Sequence, residues 1–287
     1  MAATAKDILD LIKEKDVKYV DVRFTDIRGK MQHVTFDIDL VDEEFLTDGT
    51  MFDGSSIAGW KAINESDMKL RPDLETAIID PFYQQTTLCL MCDIVNPDTG
   101  TPYNRDPRSI AKAALNYVKA SGIGDTVFFG PEAEFFIFDD VRWSTQPHDT
   151  GYSYDSTELP INSNKAYPEG NMGHRPGPKG GYFPVNPVDS CQDLRGEMLA
   201  VMGELGMKPE KHHHEVAPAQ HELGLKLDTI RSGPRASRCS PATSMRASRR
   251  CASGTSAASS STPRRSTPSR TRPPTPTSAW CPATKPR

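Results

Sequence analysis

Glu132 and Glu134 stand two residues apart inside an apolar run, Phe128-Phe129-Gly-Pro-Glu-Ala-Glu-Phe135-Phe136. Read as a strand, this spacing puts both carboxylates on one side, because side chains alternate with a period of two. Two like charges among phenylalanines repel and are poorly solvated, so they call for a partner. Mg²⁺ and Mn²⁺, hard cations that prefer oxygen ligands, fit that need. The plainer alternative is a solvated strand face with two surface acids.

A second constellation is Glu210-Lys-His212-His213-His214-Glu215, followed by Gln220-His221-Glu222. Three consecutive histidines resemble a purification tag, but tags are longer and terminal. In an extended segment His212 and His214 face one side, and His213 and Glu215 the other. Glu215 and Glu222 can then join Glu134 around one ion. Four acids with histidines suit a two-metal, phosphate-handling site; a surface charge cluster is the alternative. A third segment runs from Met51 to Trp60, with Asp53, Ser56 and two glycines, followed by Asn64-Glu-Ser-Asp67-Met68. Alone it reads equally as an ordinary surface turn.

These residues need elements to hold them. Met1–Asp16 predicts an amphipathic helix with Ile8, Leu9, Leu11 and Ile12 on one side. Lys18–Thr25 and Met31–Ile38 predict two strands joined by a turn at Asp26–Gly29. Thr50–Trp60 is expected to be a loop, and Thr76–Ile79 and Thr87–Val95 another strand pair. Asn96–Arg108 is turn-rich and marks a boundary. Ser109–Gly122 predicts a helix, Val127–Phe138 a strand, 143–190 irregular chain, Asp193–Leu205 a helix, and Lys211–Asp228 an alternating polar segment. The result is an α+β chain: a small mixed domain over 1–104, then, over 105–230, an antiparallel sheet with helices on one face.

Bulk composition conceals two unlike parts. Net charge is −4 and pI about 6.0. All 38 acidic residues precede residue 231, whereas 12 of the 34 basic ones lie within 231–287, which leaves residues 1–230 near −16. Cys89 and Cys92 form a lone C-x-x-C inside a predicted strand, so buried thiols are expected rather than a metal or redox site. No signal peptide opens the chain and no apolar run reaches ~18 residues, so no membrane span is expected and the cytoplasm is the default.

Phe52-Asp-Gly-Ser-Ser-Ile-Ala-Gly-Trp-Lys with Asn-Glu-Ser-Asp-Met closely resembles the signature of bacterial type I glutamine synthetases. Gly130-Pro-Glu-Ala-Glu-Phe-Phe resembles their metal strand. Lys179-Gly-Gly-Tyr-Phe-Pro and His212-His-His-Glu-Val-Ala-Pro-Ala-Gln-His-Glu resemble the motifs that follow. The likeness runs in order from about residue 5 to 229.

The resemblance implies a β-grasp-like N-terminal domain followed by an incomplete catalytic domain. It implies ATP-dependent ligation of glutamate and ammonium through γ-glutamyl phosphate, with Mg²⁺ or Mn²⁺, in a ring homo-oligomer, a dodecamer. Glu134, Glu215 and Glu222 would hold the metal that organises glutamate, and Glu132 the one at the ATP phosphates. Glu210 would sit by the nucleotide, and Leu227 stands where the family usually packs a Phe on adenine. Asp53 and Ser56 would lie on a loop lent to a neighbouring subunit. Asp53 would bind ammonium and take its proton, Trp60 would wall the same cleft, Tyr182 would lie nearby, and His213 would approach the transferred phosphoryl group. A related γ-glutamyl-amine ligase and a non-catalytic fragment are the alternative readings.

After Thr229 the family's remaining ligands, arginines and flap do not follow. Residues 231–287 are Ser, Thr, Pro, Arg and Ala with no hydrophobic period, a composition that predicts disorder. Read one base out of frame with permitted synonymous codons, 254–287 spell a continuous family-like stretch, and 231–254 permit the segment before it. Trp280 is the strict position: its TGG followed by the TG of Cys281 forces GTG, the valine required. The tail is therefore expected to be out-of-frame translation. The rival reading, a basic arm for nucleic acid, lacks interleaved aromatics; no nucleic-acid partner is expected. An incomplete catalytic sheet should leave edges and apolar faces exposed.

Overall fold

The computed structural model describes residues 3–162 and 175–229. The out-of-frame reading of 231–287 falls outside the described residues.

The first element is helix α1 (Ala5–Glu14), opened by a capping box: Thr4 Oγ1 accepts from Asp7 N at 3.2 Å, and Asp7 Oδ2 accepts from Thr4 N at 2.8 Å. Strands β1 (Tyr19–Thr25) and β2 (Met31–Asp37) form the expected hairpin, in register from Tyr19↔Asp37 to Thr25↔Met31. Short helix α2 (Glu43–Thr47) leads to β3 (Thr50–Asp53), β4 (Asp67–Ile79) and β5 (Thr87–Val95). The five strands order as β2-β1-β5-β4-β3, with β1 and β5 parallel and the other pairs antiparallel. This mixed sheet, with α1 and α2 against one face, is the β-grasp half. Its core is strand and helix interior: Val20, Val22, Leu70, Leu88, Leu90 and Ile94 are all fully buried. Cys89 and Cys92 are buried free thiols, as expected from an apolar strand, and burial pushes both thiols up in pKa.

Two expectations needed correction here. Thr50–Asp53 is not loop but strand, because it pairs with Asp67–Leu70. The strand expected at Thr76–Ile79 begins nine residues earlier, at Asp67. Pro72 disguised it; beyond Leu70 strand β3 has ended, so the proline interrupts no ladder on that side.

Helix α3 (Pro107–Ser121) follows, with Pro at its first turn and Gly122 at φ 72° as its C-cap. Asp106, fully buried, accepts from the backbone N–H groups of Arg108 and Ser109 at 3.1 Å each and from the Ser109 hydroxyl at 2.7 Å. No residue of α3 is buried, so the apolar stripe of Ile110, Ala113, Ala114 and Val118 does not enter a core. The helix is tied to β4 and β5 by charge: Arg108 pairs with Asp73 and Asp93, and Lys112 with Asp93.

The expected strand at Val127–Phe138 is split by Gly130-Pro131 into β6 (Phe128–Phe129) and β7 (Glu132–Phe136). Part of the stretch expected to be irregular is a hairpin, β8 (Asp140–Gln146) with β9 (Asp149–Asp155), whose apolar face, Val141 and Trp143 opposite Tyr154 and Tyr152, is exposed. Helix α4 (Gln192–Glu204) precedes β10 (Pro209–His214), β11 (Gln220–Leu225) and β12 (Asp228–Thr229). β10, β11 and β7 make a three-stranded antiparallel sheet, and β12 pairs with β6. Met198, Leu199 and Met202 of α4 pack on Ala133, Phe135, Leu223 and Leu225 of that sheet. Phe128, Phe136, Trp143 and Tyr152 are exposed, as expected of an incomplete sheet. Among the described residues, no helix is long and apolar enough to cross a membrane.

Asp106→Ala removes the cap of α3 and strands its first amides. It should destabilise the N-terminal body by about 1–2 kcal/mol, read as a lower urea midpoint with unchanged slope; an unchanged midpoint would show that the cap contributes nothing.

Candidate functional site

The three-stranded sheet has two chemically opposite faces. Its front carries two rows of polar groups across the strands. In one, His213, Glu222 and Glu134 are cross-strand neighbours; in the other, Lys211, Gly224 and Glu132. Gly224 has a function in the second row: a Cβ there would lie 2.7 Å from Lys211 Cγ, so its absence lets the lysine cross and reach Glu132 at 3.9 Å. Glu132 and Glu134 do share a face, as the strand period requires, with Ala133 and Phe135 turned to α4.

His213, Glu215 and Glu222 converge, one ligand atom of each lying within 4.8 Å of the others. His213 Nδ1 is 3.5 Å from Glu215 Oε1, and Nε2 is 3.4 Å from Glu222 Oε2. Glu134 stands in register with Glu222 but outside this trio; its Oε2 accepts from Gln220 Nε2 at 2.7 Å. Glu222 is buried, and among the described residues its Oε1 has no hydrogen-bond partner. Burial raises its pKa, and Glu132 and Glu215 add to the effect against the pull of His213. A buried, unpartnered carboxylate oxygen beside a second carboxylate and an imidazole is the donor set a divalent cation satisfies. The residues present therefore fit the implied metal.

Tyr182 and Phe183 stack on each other at 3.9 Å, and their ring centroids lie 5.6 and 4.7 Å from that of His213. The loop approaches closely because residue 181 is glycine: a Cβ would come 2.5 Å from the Glu215 carbonyl oxygen and 2.7 Å from the His214 ring, while Gly181 N donates to Val216 O at 2.9 Å.

The remaining expected residues lie elsewhere. Glu210 is exposed, at the register shift of β10 between Pro209 and Lys211. Leu227 is 64% exposed and rests against Gly130. Asp53 sits on the β-grasp half, exposed, accepting from Ser55 N at 2.8 Å, Ser55 Oγ at 2.6 Å and Ser56 Oγ at 3.0 Å. These bonds, the Ser55 hydroxyl first, lower its pKa. Trp60 is 5% exposed and packs on Phe24, Phe52 and Tyr103. Its apolar ring finds burial in that aromatic cluster, where it anchors the Asp53 loop from beneath.

The sheet's other face holds residues that sequence reasoning missed. Arg195 is fully buried, paired bidentately with Asp189, and donates to His221 Nδ1 at 2.9 Å and His212 Nδ1 at 3.2 Å. Glu158 accepts from His214 at 2.8 Å, Ser190 Oγ at 2.7 Å and Ala219 N at 2.9 Å. Burial pushes Glu158 up, but the bonds from His214 and Ser190 prevail and hold it at about 2. Burial lowers His221 to about 4. Glu158, Cys191 and His221 also cluster within 4.8 Å. They are not a cation site: arginine only donates, so His221 accepts at Nδ1 and carries its proton on Nε2, the atom a metal would need. A signal for Arg195 was present, since 195, 198, 199 and 202 form one helical stripe in which it replaces an apolar residue.

The chain is thus a two-part α+β protein whose second part presents a carboxylate-rich face. The glutamine synthetase β-grasp domain model matches residues 16–97 and the glutamine synthetase catalytic domain model residues 104–232. The chain is 65% identical over 227 residues to a glutamine synthetase of Bradyrhizobium diazoefficiens and 66% identical over 227 residues to one of Azorhizobium caulinodans. Each alignment covers 79% of this chain and 48% of the relative. A solved Plasmodium falciparum glutamine synthetase superposes with TM-score 0.71 at 28% identity, over 79% of this chain and 45% of that one. The chain belongs to the glutamine synthetase family, and spans about half the length of the curated relatives it matches.

Two substitutions test the front face. A raised Glu222 pKa means that the stability this group contributes is present below the ordinary glutamate value and lost as pH rises through the folded one. Glu222→Gln should therefore melt higher than wild type at pH 7 in chelator, yet bind Mn²⁺ at least about ten-fold more weakly; a lower melting point would contradict the burial argument. Gly181→Ala should weaken Mn²⁺ binding about ten-fold by displacing the Glu215 backbone, measured by titration; unchanged affinity would mean the close approach has no bearing on the acids.

Proposed function

We propose that the described residues are part of a glutamine synthetase active site, which ligates ammonia to glutamate at the expense of ATP through γ-glutamyl phosphate. The observation that carries this is the convergence of His213, Glu215 and Glu222, with an unpartnered Glu222 oxygen and Glu134 in register beside it. The family membership supports it.

Glu134, Glu215 and Glu222 would hold one Mg²⁺ or Mn²⁺, and Glu132 another. Such ions, when bound, neutralise phosphate and carboxylate charge, the main demand of phosphoryl transfer. His213 faces the same space and offers an N–H to a transferred phosphoryl oxygen. Tyr182 and Phe183 screen that imidazole from water on one side. Glu210 and Leu227, both exposed, would contact the nucleotide.

Asp53, on the other half of the chain, would serve a neighbouring copy in a ring homo-oligomer. Its hydrogen bonds favour the carboxylate form, which suits attraction of ammonium but makes a poor base. Taking the proton then requires Ser55 and Ser56 to release it as the cleft fills.

Phosphate release from ATP by the purified chain, with glutamate and with or without ammonium, tests the proposal. Release that needs both substrates and Mg²⁺ or Mn²⁺ supports it; release with polyamines in place of ammonium would point to a γ-glutamyl-amine ligase. Stoichiometric Mn²⁺ binding without turnover would identify a non-catalytic part of the assembly, consistent with a match that covers 48% of the relative's length. For the tail, the third bases of the coding DNA decide: bases that do not spell family sequence out of frame would end that reading.

A further inference from the structure

The acids of the front face are held from behind by a charge-balanced layer. Arg195 and Asp189 form one buried pair and Glu158 and His214 the other. Hydrogen-bond logic fixes the state of every ring in it. His214 meets only acceptors, the Glu215 carbonyl at Nδ1 (2.6 Å) and the Glu158 carboxylate at Nε2 (2.8 Å), so both nitrogens donate and the ring is an imidazolium. His212 and His221 meet only an arginine donor at Nδ1, so each is neutral with its proton on Nε2.

We propose that Glu158 and Arg195 are positioning residues for His213, Glu215 and Glu222, acting through the turn between β10 and β11. Glu158 grips that turn at both ends. Through His214 it fixes the Glu215 carbonyl, and directly it accepts from Ala219 N, whose φ of 63° is one an alanine rarely adopts. Val216 N closes onto Glu215 Oε2 at 2.9 Å, and Ala217 N onto Gln220 Oε1 at 3.0 Å, so the same turn aims Glu215 and the Gln220 that holds Glu134. Arg195 clamps the strands on either side, His212 on β10 and His221 on β11. His212 precedes His213, and His221 precedes Glu222, so clamping one face of each strand sets the other. The proposal rests on the metal reading above only for its consequence, not for the network itself.

Two measurements on the 287-residue chain test it. Mn²⁺ affinity, followed by the electron paramagnetic resonance signal of the free ion, should fall about 10–100-fold in Glu158→Gln and in Arg195→Lys, with the folded fraction checked by circular dichroism. Loss of stability alone would lower the melting point without altering the affinity of the folded fraction. In chelator, ring ¹⁵N spectra of wild type should show both His214 nitrogens protonated and His212 and His221 protonated at Nε2. The Ala219 amide should exchange at least about ten-fold faster in Glu158→Gln. Unchanged Ala219 exchange overturns the proposal whatever the metal does. A wild-type chain that binds no Mn²⁺ while its rings are protonated as stated counts against the metal reading, and Ala219 exchange then decides this one.

Discussion

The period of two along β10 and the residue just past it assigns four consecutive residues, His212 to Glu215, to two incompatible environments. One face must gather carboxylates for a cation. The other must be dry enough to pack against the methionines of α4. The chain meets both demands in one layer by giving the dry face its own neutralised charges. Arg195 cancels Asp189, His214 cancels Glu158, and His212 and His221 stay neutral because an arginine occupies their acceptor nitrogens. Without that cancellation, burying so many polar groups would cost far more than the small apolar cluster of Met202, Leu223 and Leu225 could offset.

The front face is built on the opposite principle. Its charges are left uncancelled: Glu222 keeps an oxygen without a partner, Glu215 and Glu222 crowd one imidazole, and Glu132 has only a distant lysine. A protein bears such a charge imbalance where something else is meant to relieve it. Gly181 lets the Tyr182 loop close on this face: its backbone lies against Glu215 and His214, its N–H bonds Val216 O, and the Tyr182 and Phe183 rings flank His213.

Local pattern made most of the elements legible. The β-grasp hairpin, α3, α4 and the shared face of Glu132 and Glu134 all follow from periodicity and turn residues. The failures have particular causes. β4 was shortened by Pro72, harmless because β3 no longer flanks it there. The β8–β9 hairpin carries only two alternating apolar positions per strand, Val141 and Trp143 then Tyr152 and Tyr154, too short a pattern to stand out in a Gly- and Pro-rich stretch. The aromatic cluster that buries Trp60 joins residues from distant segments, Phe24, Phe52 and Tyr103, and only the assembled sheet reveals it. Of the back layer, Glu158 and Asp189 lie far in sequence from the strands they serve and carry no local signal. Arg195 did carry one, a charge in an apolar helical stripe.

Helix α3 joins the sheet by charge rather than by apolar burial: none of its residues is buried, and Arg108 and Lys112 bind Asp73 and Asp93. The two kinds of attachment respond differently to solution conditions. The Val, Leu and Ile core beneath is not weakened by charge screening, and its burial weakens on cooling. The ion pairs are partly screened as ionic strength rises. Salt therefore acts on this link chiefly through the half-exposed Lys112, while the largely buried Arg108 pairs with Asp73 and Asp93 are screened much less and keep the helix fastened to the sheet.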